Sequence, residues 1–276
     1  MQTFAIDFTK KLYGADSYKG LTAEQVLTGW IFWGDDWMNE PMLKIKGGEL
    51  KNTLQLPDYV SANTFFNKEM GGYTIGPYVK EYYDGNHDKF NTQAVAIDDK
   101  IQLLVNLQRG VVLKIFPYTQ QGKTTWLAPT DEQPQTMSLQ NNRFIKSVLA
   151  LLYNEAEAKN YKQMDEIVGK LQKYQASNAG TSLPTASQVA AERTYNDIPF
   201  ANNLFMLCLT MGFVTFMYTV AQLCRKCRTG NSLDTHADII IVWLSRGIML
   251  AAFLSLSYCE YLRWTISGTL PMANGY

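Results

Sequence analysis

Three groups of residues in this chain have types and spacings that chemistry uses. Cys224 and Cys227 form a CxxC, the spacing of a zinc half-site or of a redox dithiol. A zinc site needs a second pair or nearby histidines, and thioredoxin chemistry needs a βαβ setting; neither accompanies this pair. The plainer reading is small side chains beside a basic cluster, Arg225, Lys226 and Arg228. The second group is the two histidines, His87 in the polar loop DGNHDKF and His236 in RKCRTGNSLDTHAD. The third is the carboxylate pairs Asp35-Asp36 and Asp98-Asp99. Neighbouring carboxylates on a helix point in different directions, and both pairs sit where helix N-termini are expected. Capping accounts for them better than acid-base catalysis. A Ser-His-Asp order with local support, a GxGxxG, a P-loop and an HExxH are all missing. No residue is assigned as catalytic and none as a metal ligand.

The basic cluster marks an uneven distribution of charge. The chain has 276 residues, zero formal net charge, 46% hydrophobic and 18% charged residues. Balanced charge excludes a strongly basic nucleic-acid binder. Of the 50 charged residues, 42 lie in residues 1–198 and eight in the last 78. Phe200 to Leu223 is a run of 24 residues without a charge, and Ile239 to Tyr258 contains only Arg246. At ~1.5 Å per residue the first run crosses a hydrocarbon core of ~30 Å. The sequence therefore predicts two transmembrane helices, at 199–224 and 239–262, joined by a loop at 225–238. Short loops rich in Lys and Arg stay in the cytoplasm, which puts residues 1–198 and the tail 263–276 on the extracytoplasmic side of the cytoplasmic membrane. Arg246, about two turns into the second helix, is near enough to the inner face to snorkel; a buried functional charge is the sharper reading. No signal peptide is visible at Met1, so export of residues 1–198 calls for an upstream helix or a partner.

The polar part reads as mainly α with minor β. Phe4–Tyr13 has apolar residues at 4, 5, 8 and 12 and ends at Gly14. Thr22 caps AEQVLTGWIFW, with Gln25 at the capping-box position. Met42–Lys46 alternates like a short strand, and Gly47-Gly48 turns into a short helix that Pro57 closes. A helix is expected over Asp98–Phe116, with Ile101, Leu104, Val105, Val112 and Ile115 inward, followed by a turn in YTQQGKTTW. Residues 139–175 read as an antiparallel helix pair, lined by Phe144, Ile145, Val148, Leu149 and Leu152, then by Tyr161, Met164, Ile167, Val168 and Leu171. SNAGTSLPTAS is a linker, and VAAERTYNDIPF runs helically into the membrane. Residues 47–95 lack clear periodicity. Trp30, Phe32, Trp33 and Trp37 fall within eight positions; core packing explains them better than a platform for an aromatic ligand or the membrane interface. Residues 1–207 contain no cysteine, so the outer domain has no disulfide framework.

Four phrases, in order, resemble the cytochrome c biogenesis proteins of the system II (ResB/CcsA) type in their fused form. They are LYGADSYKGLTAEQVLTGWIFWGDDWMNEPMLKIK (12–46), VVLKIFPYTQQGKTTWLAP (111–129), AAERTYNDIPFANNLFMLCLTMGF (190–213) and YLRWTISGTLPMANGY (261–276). The resemblance implies a middle segment of such a protein: the large extracytoplasmic domain, its exit helix and the first helix of the CcsA half. It implies a membrane cytochrome c synthase that delivers haem and supports its covalent attachment to exported apocytochrome c. The partners would be apocytochrome c, the rest of the synthase and the lipid bilayer, with no nucleic acid. The family's tryptophan-rich haem-handling motif would begin after Tyr276. The second helix also offers Tyr258 and Cys259 near its outer end where relatives carry a haem-ligand histidine, and Thr269 where relatives often place His.

The residues left to touch haem are His236, as an axial imidazole, and Arg246 and Arg263, for its propionates. The alternative is a non-catalytic, membrane-anchored extracytoplasmic binding or assembly-scaffold domain. The loop of about 15 residues is too short for a sensor's output module.

Overall fold

The computed structural model describes residues 2–67, 72–198, 200–230 and 235–269. They form two compact units, Met1–Leu183 and Pro184–Tyr276, whose boundary falls inside SNAGTSLPTAS. The described chain is mostly helical with short antiparallel strand pairs, as its periodicity predicts.

Unit 1 begins with α1 (Gln2–Tyr13), which buries Ala5, Phe8 and Leu12 on one face. Gly14 stops it at φ +92°, donating its N–H to the Lys10 carbonyl at 2.9 Å. After the short pair β1 (Ser17–Tyr18) and β2 (Leu21–Thr22), α2 (Ala23–Phe32) opens with the expected capping box between Thr22 and Gln25. α3 (Gly34–Trp37) has Asp35 and Asp36 in its first turn, at a helix N-terminus as expected, but neither caps it: Trp33 holds the cap position and no side chain bonds there, so the pair acts on the helix dipole alone. Trp37 swings back onto α2 and lies 5.8 Å from Trp30, which is 1% exposed. Gly29 makes this possible: a Cβ there would meet Trp37 Cε2 at 2.4 Å. Trp30 and Trp37 are thus core residues, and Trp33 at the surface donates Nε1–H to Glu157 at 2.6 Å.

The middle of unit 1, illegible in the sequence, is a series of short elements around the same core. β3 (Leu43–Lys44) leads to α4 (Glu49–Thr53), and β4 (Tyr59–Val60) pairs back on β3 in register Leu43 with Val60. β5 (Phe66–Asn67) pairs with β6 (Gly72–Tyr73), and α5 (Gly76–Tyr83) precedes α6 (Lys89–Gln108).

α6 corrects the expected Asp98–Phe116 helix at both ends. Asp88 caps it, accepting from the Asn91 N–H at 2.7 Å, so it starts nine residues earlier than Asp98. Gly110 at φ +75° ends it before Val111. Asp98 and Asp99 consequently lie mid-helix, and the capping role expected of them falls to Asp88.

The second core of unit 1 is closed by a hairpin. β7 (Phe116–Gln120) and β8 (Lys123–Leu127) pair in register Gln120 with Lys123. Gln121 and Gly122 connect them, both at positive φ, as a two-residue hairpin turn with right-handed strand twist requires. The turn is where the sequence puts it; the strands flanking it go beyond what the pattern of YTQQGKTTW predicts. α7 (Leu139–Glu157) and α8 (Tyr161–Asn178) form the expected antiparallel pair, burying Ile145, Val148, Leu152 and Ile167. Tyr161 and Val168 are exposed instead of lining the interface, and Tyr174 is buried in their place. Its hydroxyl donates to the Pro117 carbonyl at 3.0 Å, and Gln175 donates to the Ile115 carbonyl at 2.9 Å, locking α8 to the hairpin.

Unit 2 contains α9 (Ala186–Asp197), α10 (Phe200–Thr229) and α11 (Thr235–Ser267). VAAERTYNDIPF is not one continuous helix. α9 ends at Asp197 and Ile198 is extended, at φ −105° and ψ 111°, because the residue before a proline is pushed out of the α region. α9 instead packs along α11, with Ala191 and Leu262 buried, and Gln188 donates to the Ile266 carbonyl at 3.4 Å. α10 and α11 also pack on each other.

Candidate functional site

The membrane-like residues assemble on α10 and α11. Among the described residues, one helix is long and apolar enough to cross a membrane, Asn203–Arg228. None of its apolar window is buried within the protein. Phe205, Phe213 and Phe216 of α10 stand open, as do Trp243, Met249 and Phe253 of α11. Water would penalise such surfaces at ~25 cal/mol per Å², whereas lipid does not. At the C-terminal end of α10, Arg225, Lys226 and Arg228 meet the negative end of the helix dipole. Cys224 and Cys227 are exposed free thiols one turn apart in this cluster. Among the described residues no group of three or more His, Cys, Asp or Glu side chains is arranged to hold a metal ion.

The three haem candidates all fall on α11. His236 belongs to its first turn, and its side chain lies outside the described residues. The Arg246 guanidinium lies 5.8 Å from the centre of the Trp243 ring, and Arg263 pairs with Glu260 at 3.3 Å. At a rise of ~1.5 Å per residue, Arg246 and Arg263 are ~26 Å apart along the axis and His236 is ~40 Å from Arg263. The helix does not bring the three together. His87, in unit 1, packs edge-on against Tyr82 with ring centres 4.4 Å apart.

Unit 1 holds a grouping that sequence reading missed. A cavity of about 550 Å³ opens between the end of α1, β3 and α6, lined by Lys10, Lys11, Lys44, Lys46 and Lys100. The signal for it is faint: Lys10-Lys11 at a helix end, and Lys44 and Lys46 two apart in the alternating stretch MLKIK, of which Leu43–Lys44 is strand. The wide sequence gaps between them hid their convergence. A second charged surface feature, Lys19 with Glu40 at 2.7 Å, also receives the Tyr18 hydroxyl at 2.8 Å. These two donors, Lys19 first, hold the Glu40 carboxyl below its ordinary range. Burial, then the bond to Asp98 at 2.6 Å, pushes the Tyr73 phenol well above its ordinary range.

No protein-family model matches the chain. Over 264 residues, 92% of its length, the chain is 21% identical to Protein NrfI of Wolinella succinogenes. It spans 29% of that protein, less than a third of its length.

Proposed function

We propose that this chain is a segment of a membrane cytochrome c synthase of the system II (ResB/CcsA) type, which delivers haem and supports its covalent attachment to exported apocytochrome c. The observation that carries this reading is sequence likeness that runs nearly end to end. The four ordered phrases span residues 12–276, and the similarity to Protein NrfI covers 92% of the chain while taking up 29% of that protein. A segment of a larger assembly would show that ratio. Its partners in this reading are apocytochrome c, the remaining part of the synthase and the lipid bilayer.

The layout of the proposal is residues 1–198 outside the cytoplasmic membrane, spans at 199–224 and 239–262, a loop at 225–238 inside and a tail at 263–276 outside. The apolar, open surface of α10 supports the first span, and the length and open apolar side chains of α11 support the second. Arg225, Lys226 and Arg228 support the orientation, because short basic loops remain in the cytoplasm. Protease added to right-side-out vesicles is expected to digest unit 1; full protection would reverse the orientation.

Haem in this reading is cargo. The spacing of His236, Arg246 and Arg263 along α11 means that they cannot hold one haem together. Each is a separate candidate, His236 for the iron and the arginines for propionates. Covalent attachment needs the apocytochrome held beside the haem, and a cysteine-free outer unit offers its CxxCH no thiol for a mixed disulfide.

The test is genetic and chemical. An in-frame deletion of residues 1–183 in the host is expected to abolish the haem-stained bands of exported c-type cytochromes while their apo forms persist. Undiminished bands would overturn the proposal.

A further inference from the structure

The lysine-lined cavity of unit 1 is built from three separate stretches of chain. Lys10 and Lys11 come from the last turn of α1, Lys44 and Lys46 from β3 and the residues after it, and Lys100 from the middle of α6. Between the ammonium groups the walls are lysine stems and Ala96, over a floor of Ile45, Leu50 and Ile97 that is itself buried in the first core. The stem of Lys44 crosses Gly14 so closely that a Cβ on the glycine would meet its Cδ at 2.9 Å. Gln93, on the far wall, has its amide oxygen engaged by the Leu50 N–H at 3.0 Å.

Convergence of five ammonium groups opposes folding unless anions answer them, and the protein itself supplies little. Among the described residues, Lys10, Lys11, Lys44 and Lys46 make no ion pair; Asp99, the carboxylate of the lining, bonds none of them, and Asp58, which feels the charge of Lys44, is paired with Lys51. Lys100 is fixed by carbonyls instead, donating to the Lys44 oxygen at 2.7 Å and the Leu12 oxygen at 3.3 Å. An ammonium has three donors, so one remains for the cavity. Burial, and then the charges of Lys46, Lys11 and Lys44, hold the Lys100 ammonium down at about 8.

We propose that this cavity is a binding site for a small anionic molecule with an apolar body, its carboxylates or phosphate meeting the lysines and its body lying along the lysine stems and Ala96. Buried apolar surface with a few convergent charged donors is the general form of a small-molecule site. Charge-assisted hydrogen bonds from several lysines supply the anion's recognition. The inference stands on unit 1 alone and does not depend on the haem reading.

Calorimetric titration of the full chain in neutral detergent tests it, with naphthalenedicarboxylate, naphthyl phosphate, inorganic phosphate and the neutral dimethyl ester of the dicarboxylate as probes. The naphthyl anions are expected to bind, whichever of the two is tighter naming the preferred headgroup, with inorganic phosphate weaker and the neutral ester silent. Lys44→Gln with Lys46→Gln is expected to weaken binding by about tenfold or more, the loss of at least one charged hydrogen bond. The matched surface change Lys162→Gln with Lys170→Gln on α8 should leave it unchanged. Binding an anion raises the Lys100 pKa, so at pH 8 the heat should differ between buffers of different ionisation enthalpy by the amount that proton uptake demands; Lys100→Gln should remove that difference. Lys10→Gln with Lys11→Gln is the second variant, should the first lose its circular-dichroism signature. No heat from any naphthyl anion, equal binding of the ester, or equal loss in the α8 control would overturn the proposal.

Discussion

The two units use the same apolar side chains in opposite ways. In unit 1 Phe8, Phe116 and Trp30 are at most 2% exposed, whereas in unit 2 Phe213, Trp243 and Met249 are 64% to 71% exposed. Unit 1 interrupts its apolar residues with charges at helical spacing, so each helix has one inward face. α10 has no polar face to turn outward along most of its length. The difference teaches that solvent, not residue type, decides what counts as a core: the first unit makes its own apolar environment, and the second needs one supplied.

Paired substitutions can break or sharpen this contrast. The largest effect is expected from Trp30→Ala, about 3–5 kcal/mol from unit 1 stability by denaturant unfolding in detergent. Trp243→Ala, the same change in the other setting, should leave the unit 1 midpoint in place; an equal loss would break the contrast. Next, in a chain shortened to end at Gly230 so that α10 is its one proposed span, is Phe213→Arg in the middle of α10, which should oppose insertion by about 2.5–3.5 kcal/mol and move the protein into the alkaline-extractable fraction. Tyr83→Arg, on an equally open position of unit 1, should move none of it. Gly29→Ala follows, at about 1–3 kcal/mol, because the new Cβ must displace Trp37.

The last effect is a slope, which solvent screening of a half-exposed group reduces below what the full shift would give. Lys100 gives up its proton near about 8 in the folded protein but near ~10.4 in the unfolded chain. Between those values the unfolded state binds more protons, so unit 1 should gain stability as pH rises through this window. Lys100→Gln should flatten that part of the profile. A naphthyl anion at saturating concentration should flatten it too, which ties the stability measurement to the cavity.

Local signals were the legible part of this fold. The Thr22–Gln25 capping box, the Gly14 stop and the α7–α8 pair each depend on residues a few positions apart. Errors came where a distant partner or a stop residue decides. The period through Ile101 and Leu104 was right, but Gly110 ended the helix and Asp88 began it. FPYTQ and KTTWL are strands because they pair with each other, and FPYTQ bonds through Pro117 and Thr119 to α8, some 60 residues later. Ile198, read as helical, was set by the proline after it. Residue type alone marks His236, Arg246 and Arg263, and one helix spaces them apart along its axis; the lysines are illegible in the chain because sequence scatters what the fold gathers.

The bonds from Tyr174 to Pro117 and from Gln175 to Ile115 also have a meaning in time. Chains fold domain by domain as they are synthesised, the N-terminal part first. The second core of unit 1 stays open until α8 has been made, since the groups that seal it lie at 174 and 175. Those residues precede the first residue of α10 by about 25 positions. Everything unit 1 needs for closure is therefore translated before the hydrophobic helix exists. A chain cut short within α10 already contains every group that closes unit 1, whereas one cut short within α8 leaves Phe116, Ile145 and Val148 uncovered to associate with whatever is nearby.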